Sequence, residues 1–80
     1  MEKVIRPNLG YNIKKLRQLK GLKQEALAIE LGISQPEMSE IESLENIDDA
    51  IIIKIAQILN ITPEIIKEFK LKEFDYSKSA

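Results

Sequence analysis

The chain has 80 residues, 44% of them apolar and 5% aromatic, with a formal net charge of −1. That length predicts one domain, near the lower limit for a core without staples, and the absence of Cys and His excludes disulfides and the usual zinc ligands. No apolar run approaches the ~20 residues that span a bilayer and no signal-peptide pattern opens the chain, so a soluble cytoplasmic protein without cofactor or membrane partner is expected.

The small net charge hides a gradient. Residues 1–23 carry seven cations (Lys3, Arg6, Lys14, Lys15, Arg17, Lys20, Lys23) against Glu2 alone, whereas residues 24–49 carry eight acids and no base. Such asymmetry can mark a nucleic-acid face or a protein-binding face.

Residues 1–8 read as an N-terminal arm, because Pro7 biases Arg6 away from helix. Asn8 is the N-cap of a first helix running to about Lys20, with Ile13, Leu16 and Lys20 on one face and Leu9 and Leu19 near its edges. Gly21 follows just past its end. Gln24 to Leu31 forms a second helix whose Leu27, Ala28 and Leu31 turn inward. Gly32 then suits a sharp turn, since Gly reaches left-handed backbone angles without steric cost.

Ser34 and Glu37 have the Ser-x-x-Glu spacing of a capping box, and Pro36 is tolerated in a first turn, where its missing N–H would have no partner. The third helix is expected over about 35–43, with Met38 and Ile41 inward. Asp48 caps a fourth helix that reaches Leu59, and Asn60 closes it in a left-handed conformation. Thr62-Pro63-Glu64 starts a fifth helix with Ile65, Ile66 and Phe69 inward. The body thus spans 9–69, and 70–80 is a tail, either cut short or dimer-forming.

The combination Gln24, Leu27-Ala28, Gly32, Ile33-Ser34-Gln35, Ser39 and Ile41-Glu42 resembles the helix-turn-helix of the phage-repressor and Cro-like (XRE) family. Ala28 matches that family's small residue at the helix crossing, and the likeness covers Gly10 to Phe69. It implies an all-α fold, a compact five-helix lambda-repressor-like bundle whose third helix enters the major groove of double-stranded DNA.

The resemblance makes Gln35, Pro36, Glu37, Ser39 and Glu40 the base readers. An amide such as Gln35 grips adenine N6 and N7 with two bonds, whereas Glu37 has a competing task in the capping box and Glu40 is either a base contact or a solvated charge. Phosphate contacts fall to Gln24 and Lys23 at the start of the second helix, to Lys20, and to Ser43 and Asn46. Two positions depart from the family: Lys23 stands where a capping Ser, Thr or Asn is usual, and Ser43-Leu44 replaces a basic or polar residue followed by Gly. Arg17 and Glu42 match a pair that ties the first helix to the third, a role suited to the planar guanidinium fork.

Catalysis finds no support: there is no His or Cys, no Gly-rich phosphate loop, and no Ser with an evident base. The expected function is sequence-specific transcriptional regulation by a homodimer on a pseudo-palindromic operator. The alternative keeps the fold and makes it a protein-interaction module or antitoxin-like partner, engaged through the acidic 24–49 segment.

Overall fold

The computed structural model describes residues 8–69. The helices are α1 (Leu9–Leu19), α2 (Gln24–Leu31), α3 (Gln35–Ile41), α4 (Asp49–Leu59) and α5 (Pro63–Glu68), with no strand among the described residues. The expected dimer-forming tail and most of the arm lie outside them.

Local chemistry sets most of these limits. Asn8 Oδ1 accepts from the Tyr11 N–H at 2.9 Å, and Thr62 Oγ1 accepts from Ile65 at 3.4 Å. Both bonds occupy N–H groups that a helix start leaves unpaired. At the other end, α2 closes on Gly32 at φ 74°. The Ile33 and Gly32 N–H groups donate to Ala28 and Ile29, each at 3.0 Å, which is the paired-bond closure of a Schellman motif. Asn60, at φ 61°, closes α4 the same way, with Ile61 donating to Ala56 at 2.9 Å. Asp48 does hold the N-cap position of α4, but its side chain makes no capping bond. The third helix ends at Ile41, so Ser43 lies beyond it and not within it.

The core joins Ile13 and Leu16 of α1, Leu27 and Ala28 of α2, Met38 of α3, Ile52, Ile55, Ala56 and Leu59 of α4, and Ile66 of α5. Burying each Ile or Leu contributes roughly 1.5–3 kcal/mol. α1 packs on α2, α4 and α5, α2 on α3 and α4, and α4 on α5. Two inward expectations change, those for Lys20 and Ile65. Lys20 and Leu19 are exposed, because the buried side of α1 runs through Asn12, Ile13, Leu16 and Arg17. In α5 only Ile66 is fully buried, and its neighbour Ile65 points outward at 43% exposure.

One close approach governs where α3 sits. The Leu9 and Gly10 N–H groups, free at the start of α1, donate to the carbonyls of Glu45 and Leu44 at 3.0 and 2.9 Å. A Cβ on Gly10 would lie 2.6 Å from the carbonyl oxygens of Ile41 and Leu44. Only Gly lets α1 come this near the segment that leaves α3.

Candidate nucleic-acid interface

The capping box at the start of α3 is complete. Ser34 Oγ accepts from the Glu37 N–H at 3.2 Å, and Glu37 Oε1 accepts from the Ser34 N–H at 2.8 Å. Glu37 therefore has one carboxylate oxygen committed to the helix start. Gln35, Pro36, Ser39 and Glu40 are exposed along with it, so all five expected base readers stand on the surface of α3. Met38 faces the opposite way, fully buried, and anchors the helix to the core.

Behind that surface lies the expected ion pair. Arg17 Nε donates to Glu42 Oε2 at 2.7 Å and Arg17 Nη2 to Oε1 at 3.2 Å, a two-bonded fork. Arg17 Nη1 also donates to the Leu22 carbonyl at 2.9 Å. The two residues are only 6% and 8% exposed. Charges taken out of water at that depth are tolerated because the partner and the added hydrogen bonds replace solvent. Among the described residues no buried side-chain nitrogen or oxygen is left without a partner.

Two links escaped the sequence reading. Gln24 Nε2 donates to Glu42 Oε1 at 3.0 Å, and Gln35 Nε2 donates to Gln24 Oε1 at 3.3 Å. Gln24 and Gln35 open α2 and α3 respectively, and the Gly32 turn brings those two helix starts side by side. The signal was present as two Gln at first-turn positions of adjacent helices. The buried Asn12, whose Nδ2 donates to the Ile66 carbonyl at 2.8 Å, was also missed. It ties α1 to a carbonyl in the last turn of α5.

The expected phosphate contacts divide. Lys20 and Lys23 are exposed, and Lys23 occupies the N-cap position of α2 without any side-chain capping bond. Gln24 is half-buried in the network just described. Ser43 Oγ donates to the Glu40 carbonyl at 2.7 Å, so its hydroxyl proton is occupied in this conformation. Asn46 is exposed beside Asp48 and Asp49, in acidic surroundings. Elsewhere Lys15 lies 5.4 Å from the Tyr11 ring centroid, and Lys67 pairs with Asp49 at 3.2 Å on the surface. Such an exposed pair contributes roughly 0–1 kcal/mol. No helix among the described residues is long and apolar enough to cross a membrane.

This geometry has close counterparts. A helix-turn-helix family model matches residues 13–66. The crystal structure of the restriction-modification controller protein C.AhdI from Aeromonas hydrophila superposes with a TM-score of 0.65 at 32% identity, covering 72% of this chain and 86% of that one. A structure of the SinR protein/SinI protein complex gives a TM-score of 0.67 at 23% identity, covering 89% of this chain and 71% of that chain, and so shares the fold. A comparison with curated proteins finds no match. With its capped α3, its Gly-cornered turn and the matched span behind it, the chain belongs to the phage-repressor and Cro-like (XRE) helix-turn-helix family of DNA-binding transcription regulators.

Proposed function

We propose that the protein is a sequence-specific regulator that lays α3 in the major groove and binds a pseudo-palindromic operator as a homodimer. The observation that carries this reading is Gln35, exposed at the first position of α3 and held from behind by Gln24. Gln35 contacts adenine through paired bonds, with ~1–3 kcal/mol of discrimination. Pro36, Glu37, Ser39 and Glu40 border the same base edges. Glu40 is the acid free to accept from a cytosine amine, since Glu37 is engaged in the cap.

Lys23, Gln24 and Lys20 approach the phosphates on the α2 side, with Asn46 on the other. A single module has a small footprint, so two copies spaced ~34 Å apart, one helical turn, supply the needed contact area. The outward Ile53 of α4 and Ile65 of α5, with half-buried Ile51 and Ile58, support an apolar α4–α5 surface for that second copy.

Selection of binding sites from a random duplex pool tests this reading. A recovered motif with two-fold symmetry is expected. Gln35→Ala then changes the preferred base at one position per half-site, and Lys23→Ala weakens all sequences alike. Binding to the selected operator untouched by both substitutions would overturn the docking scheme.

A second reading has its own observation. Glu25, Glu30, Glu37, Glu40, Glu45, Asp48 and Asp49 are all exposed on the segment around α3. That charge favours a protein partner over phosphate, and the SinR structure is itself a complex with SinI. A gel shift against random duplexes at low and moderate salt separates the two: a protein-interaction module leaves the duplexes free even at low salt.

A further inference from the structure

Two segments of the chain carry one pattern in opposite charge. Lys15, Leu19 and Lys20 run to the end of α1, and Glu25, Ile29 and Glu30 repeat their spacing in α2. Each set is a charge, an aliphatic side chain one helical turn on, and a second like charge beside it. Leu19 is 70% exposed and Ile29 69%, against 40–46% for the other exposed large apolar side chains among the described residues. Side chains four apart share a helix face, so each helix presents a solvated aliphatic next to charge of one sign.

Neither face is neutralised from within. Among the described residues the ion pairs are Arg17 with Glu42 and Lys67 with Asp49, so Lys15, Lys20, Glu25 and Glu30 meet no opposite charge there. The Lys15 ammonium instead lies 5.4 Å from the centroid of the exposed Tyr11 ring, on the outward side of α1.

We propose that these two faces bind each other between copies of the chain: the Lys15–Leu19 face of α1 in one copy docks on the Glu25–Ile29 face of α2 in another. Complementarity selects that occupant. A parallel approach of the two helices sets Leu19 against Ile29 and Lys15 against Glu25 at once. An antiparallel approach sets each aliphatic against a charge and fits worse. Burial of the two aliphatics supplies attraction, while the charges fix the register and reject like faces, α1 on α1 or α2 on α2. Lys20 and Glu30 stay at the rim. A patch this small makes a weak, transient contact. It uses different helices from the α4–α5 surface proposed for the homodimer, so it adds a second, independent mode of self-association.

The test is sedimentation of the full chain over a range of protein concentrations. Lowering salt from ~0.5 M to ~0.05 M should strengthen this step by ~10-fold or more, because screening of exposed charges is relaxed. The step is read as the extra association gained at low salt, whatever the α4–α5 surface contributes at both. No gain at low salt, or a loss, overturns the proposal.

Leu19→Glu places an acid on the basic face, and Ile29→Lys places a cation on the acidic one. Both side chains already stand in solvent, so each variant should fold, which circular dichroism checks. Either alone should weaken the low-salt step by ~10-fold or more, since like charges then oppose across the contact. Mixed in equal amounts, the two variants should regain it, because the intact α1 face of one meets the intact α2 face of the other. Lys15→Glu and Glu25→Lys should repeat the pattern, alone and mixed. Single variants that associate like the wild type, or mixtures no stronger than their components, overturn the pairing.

Discussion

Replacing Arg17 with Ala would leave the Glu42 carboxylate buried without its cation. The expected loss is about 3–5 kcal/mol of stability in urea unfolding. A loss under ~1 kcal/mol would mean that the pair behaves as a solvated one. Gly32 makes a different case at the same scale. Its φ of 74° suits Gly, and Ala there is expected to lose about 1–2 kcal/mol through backbone strain alone, since a Cβ meets nothing within 4 Å. The same unfolding measurement checks it, and the intact surroundings predict that the circular dichroism of the folded state stays unchanged. Glu37 carries a structural task whatever else it meets: its Oε1 accepts from the backbone at the N-terminus of its own helix.

Helix limits were legible where short-range chemistry decides them. Asn8, Ser34 and Thr62 cap as read, and Gly32 and Asn60 terminate as read. Facing was harder. On α1 the helical spacing from Ile13 and Leu16 runs on to Lys20, yet inward positions are taken by Asn12 and Arg17, polar residues that tertiary partners satisfy. Polarity alone gives no signal for such burial. In α5 two adjacent Ile compete for one inward position, and Ile66 wins because it packs against the core while its carbonyl takes the Asn12 bond. The Gln24–Gln35 link needs both helices in place before it exists. At the start of α2 a prediction follows. Lys23→Ser supplies the missing cap and should raise stability by ~1 kcal/mol. It also removes a cation, so the salt dependence of operator binding should become shallower by about one unit of slope. A denaturation curve and a salt titration on one variant read the two effects separately.

For the molecule as a whole, assembly and docking can be uncoupled. Ile53→Lys with Ile65→Lys alters two outward side chains on α4 and α5, so monomer stability should change by less than ~0.5 kcal/mol per site. On the proposed homodimer reading, sedimentation should nevertheless show the loss of the dimer, and affinity should fall on a full operator more than on a half-site. The clasp at Gly10 has a consequence of another kind. The exit of α3 is gripped by Leu9 and Gly10, its rear is held by Arg17, and its entry is cornered by Gly32. On the proposed homodimer, a helix so anchored passes any mismatch in spacing between the two copies to the double helix, which would have to twist or bend to meet them. Spacer base pairs that no side chain touches would therefore influence affinity through their stiffness, with pliable pyrimidine–purine steps and rigid A-tracts giving different operators the same half-sites but unequal strength.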